Sequence, residues 1–440
     1  MIRSIAFSIA LLFVSLFTFA QAEQPIDKNY IAKLQRYYNT NQPDSLYRLF
    51  DPIMKSGLDV PKIKTLFEQM KAQLGPLKQT TFTQYVSGAA NYKGDFQNDA
   101  LNIVLSINSQ KQINGLYFKP YTAPVLTATK GPSVDLKPVV SAAIDPSITE
   151  TEITLKTLAG TLSGSLTMPK DVSGKIPVVL IIAGSGPTDR DCNGPSINTN
   201  TYKYIAEGLS KAGIACLRYD KRGVGKSTTS QKEKDTKFTD MVDDASAFIL
   251  KLKEDTRFSK FVLLGHSEGS LIGMIAAYSE PVNGLISASG AGSPGDQILI
   301  EQMKSKPPAV QDEFKAIIDS LKKGKTVPKV DLSLYFIARP SIQPYLMSYI
   351  PYDPARVIKK IKTSILIIQG TTDLQVKVSD AEKLKKAKSE ATLKIIDGMN
   401  HVLKAAPADP EKNMATYTDP GLPLKPEFMT AVIDFIKALK

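Results

Sequence analysis

The chain has 440 residues, 42% hydrophobic and 22% charged, a balance that excludes disorder, collagen-like repeats and coiled coil for most of its length. Lys and Arg number 55 against 43 Asp and Glu, a net charge of +12; the excess is spread along the chain and makes no nucleic-acid footprint. Two cysteines exclude a disulfide framework and a zinc cluster, and with two histidines any imidazole chemistry must use His266 or His401.

Residues 1–22 read as a signal peptide. Arg3 supplies the positive start, Ile5 to Phe19 is apolar, and Ala20-Gln21-Ala22 is an A-x-A cleavage pattern. The apolar run is shorter than the roughly 20 residues a helical span needs. The mature chain is expected to begin at Glu23, to be periplasmic or secreted, and to keep no membrane span. In an oxidising compartment Cys192 and Cys216 could pair.

Residues 23–120 read as a small α+β domain. Ile31 to Phe50 and Val60 to Leu74 carry apolar residues at helical spacing, the second with Pro61 at a helix start. Thr81–Ala89, Phe96–Ile107 and Gln112–Phe118 then alternate with period two, and Lys-Gly and Asn-Gly pairs read as turns. Residues 121–148, rich in Pro, Ala, Thr and Ser, read as a linker.

From residue 149 to 440 the pattern is α/β. A hairpin (Thr151–Leu158, Gly160–Met168) precedes apolar strands at Val178–Ile182, Ile214–Tyr219, Phe261–Leu264, Gly284–Ala288, Ile365–Gln369 and Thr392–Ile396. Helices are expected at Tyr202–Ala212, Thr239–Lys253, Glu268–Ser279 and Glu427–Leu439. Apolar strands alternating with helices predict a doubly wound, largely parallel sheet. The alternation breaks at about 293–360, where a helical insertion is expected.

The decisive segment is Phe261-Val-Leu-Leu-Gly265-His266-Ser267-Glu268-Gly269. A buried strand runs through G-x-S-x-G into a helix with small residues at Gly269, Gly273, Ala276 and Ala277, the context of a nucleophile elbow. The sharp turn strains the serine backbone and lifts its hydroxyl above the sheet, and the two glycines let strand and helix approach. Gly223-Val-Gly225-Lys226-Ser227 imitates the end of a phosphate-binding loop, but Asp220 stands where that motif needs glycine.

With this elbow the chain resembles the α/β-hydrolase superfamily, whose triad runs Ser, then acid, then His along the chain. The resemblance implies an α/β-hydrolase sheet with a helical cap, preceded by the small α+β domain. It places the acid after the strand Ile365–Gln369 and the base after Thr392–Ile396. Those loops hold Asp373 and His401, with Asp397 the local competitor for the acid. His266 adjoins the nucleophile and cannot readily turn back to Ser267, so His401 is the expected base. The oxyanion donors are expected to be the amides of Glu268 and Ser185, with Gly186 second.

Three further stretches, Gly184-Ser-Gly-Pro-Thr-Asp189-Arg190-Asp191, Leu217-Arg218-Tyr-Asp220-Lys-Arg222-Gly-Val-Gly-Lys226-Ser and Gly265-His-Ser-Glu-Gly, resemble bacterial carboxylesterases. Cys192 departs from them, standing where a glycine is usual and putting a thiol near the cleft. The Asp189–Asp191 run is expected to be a structural ion-pair turn. The resemblance implies a serine hydrolase that takes small-molecule esters through an acyl-enzyme and uses no metal or cofactor. Tyr345 and Tyr349 of the insertion are candidate pocket residues. Thioester or small-amide hydrolysis on the same fold, and a vestigial hydrolase serving as a binding protein, are the alternatives.

Overall fold

The computed structural model describes residues 23–86, 89–108, 110–120, 145–194 and 197–439. The expected signal peptide and residues 121–144 of the expected linker lie outside that set. Contacts divide the chain near residue 133 into two compact units. Among the described residues no helix is long and apolar enough to cross a membrane.

The N-terminal unit holds helices α1 (Pro25–Asn39), α2 (Pro43–Leu49), α3 (Pro52–Gly57) and α4 (Val60–Leu74), then strands β1 (Leu77–Val86), β2 (Ala89–Phe96), β3 (Ala100–Ile107) and β4 (Ile113–Pro120). The sheet is an antiparallel meander in chain order. Ile31, Leu34, Leu46, Ile63 and Phe67 from the helices meet Leu77, Tyr92, Ile103 and Leu105 from the sheet. Tyr38 is edge-on to both Phe67 and Phe96, at 5.4 and 5.6 Å.

Two expectations need correction here. The helical pattern from Ile31 to Phe50 is broken: Pro43 disfavours helical backbone at the residue before it, Asn41 turns left-handed at φ 54°, and two helices result. The sheet has four strands where three were expected, because Lys93-Gly94, which reads as a turn, lies inside β2; Asn114-Gly115 likewise lies inside β4. Gly94 is roofed by its neighbours: a Cβ there would lie 2.6 Å from Ile103 Cδ1. The turn before β4 is built instead on Asn108, whose Oδ1 accepts from the amides of Gln110 and Gln112.

The second unit opens with the hairpin β5 (Ile148–Thr157) and β6 (Gly160–Pro169), then β7 (Ile176–Ile182). A two-residue ladder follows, β8 (Asn193–Gly194) with β9 (Ile197–Asn198). Next come α5 (Thr201–Lys211), β10 (Ala215–Tyr219), α6 (Phe238–Lys253), β11 (Phe258–His266), α7 (Glu268–Ser279) and β12 (Gly284–Ala288). Five helices occupy the expected insertion: α8 (Gly295–Gln302), α9 (Pro308–Lys322), α10 (Leu332–Ala338), α11 (Gln343–Tyr349) and α12 (Pro354–Ile358). The chain closes with β13 (Ser364–Gly370), α13 (Val378–Ala387), β14 (Thr392–Ile396), α14 (Pro410–Ala415) and α15 (Pro426–Ala438).

The eight-stranded sheet runs β14-β13-β12-β11-β7-β10-β6-β5. From β14 to β10 all pairings are parallel; β6 and β5 add antiparallel. Each central strand is buried on both faces, which is why it reads as a continuous apolar run. Val178, Leu180 and Ile182 of β7 enter the core under α6 and α7, and Val179 and Ile181 enter the core under α5 and α15. The insertion carries a small core of its own around Phe314, Ile317, Leu321, Leu334 and Leu346. Helix α13 left little trace in the sequence because only Ala381 and Leu384 of its apolar residues are buried, among lysines.

Candidate active site

Ser267 links β11 to α7 with φ 55° and ψ −123°, a conformation that costs a non-glycine residue of order 1–3 kcal/mol. Its neighbours have no room for side chains. A Cβ on Gly265 would lie 2.2 Å from the Gly269 carbonyl, and one on Gly269 would lie 2.1 Å from the Ile182 carbonyl of β7. The elbow is pinned by the Ser267 amide, which donates to the Ala288 carbonyl at the end of β12 (2.9 Å).

The loops after β13 and β14 lie against each other. A Cβ on Gly370 would be 1.9 Å from the Met399 carbonyl, so glycine is what allows that approach. Across it, His401 Nδ1 and Asp373 Oδ2 are 2.9 Å apart, and the carboxylate is fully shielded from solvent. Asp373 Oδ2 also accepts from Gln369 Nε2 (2.9 Å), and Oδ1 accepts from the amides of Gln375 and Val376 (2.8 and 2.9 Å). Burial works to raise its pKa, but His401 and the two amides outweigh it and hold the carboxyl below the usual range. Asp397 is exposed and accepts from Thr371 Oγ1 instead (2.9 Å). Sequence reasoning passed over Gln369; its place at the end of β13, four residues before Asp373, was the available signal.

His266 is committed elsewhere. Its Nε2 lies 2.7 Å from the His401 carbonyl oxygen and its Nδ1 2.9 Å from the Tyr202 hydroxyl. Burial pushes its pKa down to about 3, with His401 also lowering it, so the ring is neutral. Nε2–H therefore donates to the carbonyl, and the tyrosine hydroxyl donates to Nδ1. The same hydroxyl accepts from the Gly184 amide (3.2 Å). One buried chain of hydrogen bonds thus ties the loop after β7, helix α5, the elbow and the His401 loop together.

Since the Gly184 amide is spent on Tyr202, Ser185 and Gly186 are the open positions on that loop. Both are exposed, and Gly186 is left-handed at φ 84°. Glu268 is the first residue of α7, and first-turn amides have no intrahelical acceptor. Its side chain is largely buried and accepts from the Tyr345 hydroxyl (3.0 Å). Burial raises its pKa, opposed by Lys221 and the Tyr345 bond. Tyr345 thus reaches the elbow, whereas Tyr349 packs into the core against Phe238 (5.2 Å).

The Asp189–Asp191 run is a structural turn. Arg190 pairs with Asp220 (2.7 Å), and Arg218 pairs with Asp191 (2.8 Å) and Glu150 (2.7 Å). Asp189 Oδ1 accepts from the amides of Asp191 and Asn193 (2.9 and 2.8 Å). The glycine loop that imitates a phosphate site wraps a carboxylate of the chain itself: Asp220 Oδ2 accepts from the Lys226 amide (2.9 Å). Cys192 and Cys216 are buried free thiols, their pKa values pushed up by burial to about 11 and about 12. The Cys192 thiol is therefore part of the core and no reactive group of the cleft. Cys192 sits at φ 71°, a left-handed conformation that favours glycine.

A family described as "Serine aminopeptidase, S33" matches residues 192–340, and one described as "Protein of unknown function (DUF3887)" matches 32–116. The chain is 27% identical over 407 residues to Esterase EstD of Thermotoga maritima, covering 89% of this chain and 91% of that protein. Among solved structures, Est1E from Butyrivibrio proteoclasticus overlaps 65% of this chain and 99% of its own at 18% identity and a TM-score of 0.44. An esterase of Pyrococcus furiosus, Pf2001, overlaps 67% and 92% at 18% identity and a TM-score of 0.44. Strand order, elbow and family match together define an α/β-hydrolase. Within that class the chain is similar to carboxylesterase-like serine hydrolases.

Proposed function

We propose that this chain is an exported esterase that cleaves small carboxylic esters through an acyl-enzyme on Ser267. The carrying observation is the buried His401–Asp373 hydrogen bond, seated beside the elbow by the contact of His266 with the His401 carbonyl. Ser267 Oγ attacks the ester carbonyl while His401 takes its proton. Asp373 holds the imidazole tautomer and stabilises the imidazolium. The amides of Ser185 and Glu268 receive the charge that develops on the carbonyl oxygen. The proton passes to the departing alcohol, and a water activated by His401 then releases the acid. The similarity to a protein named an esterase supports ester substrates, and the pattern of residues 1–22 supports export.

A second reading, cleavage of small amides or peptides, draws on the aminopeptidase description of the family matched over residues 192–340. Turnover of p-nitrophenyl esters, acyl-CoA thioesters and aminoacyl amides by the purified protein separates these readings. Ser267→Ala is expected to lower kcat on the preferred substrate by several orders of magnitude and to abolish labelling by a fluorophosphonate. Retention of more than about a tenth of the activity would remove Ser267 from the mechanism.

A further inference from the structure

Lys221, in the turn after β10, was not singled out by its sequence. Its ammonium donates a hydrogen bond to the Gly184 carbonyl, and Gly184 gives its own amide to Tyr202. Both polar groups of one residue are thus clamped beside the nucleophile: a Cβ on Gly184 would lie 3.0 Å from Ser267 Cβ.

We infer that Lys221 is a positioning residue of the oxyanion hole, setting the Gly184–Ser185 peptide plane so that the Ser185 N–H faces the substrate oxygen above Ser267. The inference rests on the acyl-transfer reading above. In a planar trans peptide the C=O of one residue and the N–H of the next point in opposite directions. Strand β7 lies between β10 and β11. Lys221 holds the Gly184 carbonyl, so the Ser185 N–H of the same peptide points away from the ammonium, and Gly184 itself lies against Ser267. A charged donor on the carbonyl also polarises the peptide and strengthens its N–H as a donor.

The ammonium is held at a desolvation cost. Burial lowers the Lys221 pKa, and the Glu268 carboxylate opposes that shift. Glu268 supplies the other expected donor amide, and its side chain is bound by Tyr345 of α11. Lys221 therefore acts on the first amide directly and faces the residue that carries the second. The cap reaches the same cluster through Tyr345.

The test compares wild type, Lys221→Met, Lys221→Gln and Lys221→Arg by ester kinetics and by the rate of fluorophosphonate labelling of Ser267. Labelling needs the same oxyanion donors but no ester turnover. Lys221→Met is expected to lower kcat by about 10- to 100-fold with KM within about twofold, and to slow labelling by the same factor. Lys221→Arg, which keeps a charged donor, is expected to restore most of both rates. Lys221→Gln supplies the readout if the Met variant does not fold. A labelling rate unchanged in Met or Gln, or a loss carried by KM alone, would overturn the inference. If wild type labels but hydrolyses no ester, the ester reading fails, while the labelling ratio still decides the role of Lys221.

Discussion

Asp373 and Asp397 sit on neighbouring loops, and burial separates them. Asp373 is enclosed and shares its carboxylate among the imidazole, Gln369 and two amides, so it can stabilise a cation without drawing on solvent. Asp397 is exposed and engaged with Thr371. Asp373→Asn is expected to cut kcat by roughly 10⁴-fold, as loss of the orienting acid does in such triads. Asp397→Asn is expected to leave kcat within about threefold. Steady-state kinetics on one ester decides between them, and the reverse ranking would transfer the role. Both candidates were legible in the sequence; the choice between them was not settled there, because shielding by Gln369 and the 375–376 amides is a property of how the loop folds back. Cys192 shows the converse. Its sequence context suggested a thiol near the cleft, and only the fold shows that thiol to be buried.

At the scale of elements, the elbow depends on how closely α7 approaches the sheet. The missing side chain of Gly269 is what lets the helix start rest on β7. A methyl group there would meet the Ile182 carbonyl at 2.1 Å, and backbone on both sides cannot yield. Gly269→Ala is expected to destabilise the fold by about 1–3 kcal/mol. Gly273→Ala, whose added carbon would meet side-chain ends at 3.3 Å, is expected to cost less. Urea unfolding of the two variants reads the difference, and equal midpoints would show that close approach at Gly269 is not limiting. Elements with a full apolar stripe were legible: α7, β12 and β14 have the boundaries their periodicity predicts. Those missed have weak stripes or misleading punctuation. α13 buries few apolar residues among lysines, and β2 carries a Lys-Gly pair that its partner strands cover.

The molecule as a whole couples its stability to His266. That ring is neutral in the fold, its pKa lowered by burial to about 3, while in an unfolded chain a histidine titrates near 6.5. Between these values the unfolded state binds more protons, so stability rises with pH. The contribution is complete above about 6.5 and is lost as pH falls toward about 3, at up to roughly 1.4 kcal/mol per pH unit. Thermal melts from about pH 7 down to about pH 5 should show a falling Tm in wild type and a shallower fall in His266→Asn. Parallel slopes would assign the acid sensitivity to other groups. Because His266 bridges Tyr202 and the His401 carbonyl, the same acidification is expected to loosen the His401 loop along with the fold.

Periodicity and a strand–G-x-S-x-G–helix context sufficed to determine the α/β alternation and the elbow, because these depend on local spacing. The pairing of Asp373 with His401, the clamp on Gly184 and the inertness of the thiols depended on tertiary structure. Each joins residues far apart in sequence: His266 meets the His401 carbonyl, and Lys221 meets the Gly184 carbonyl. Such contacts arise only when parallel strands bring their C-terminal loops to one edge of the sheet, and burial, which sets the strength of every hydrogen bond among them, exists only once that edge has formed.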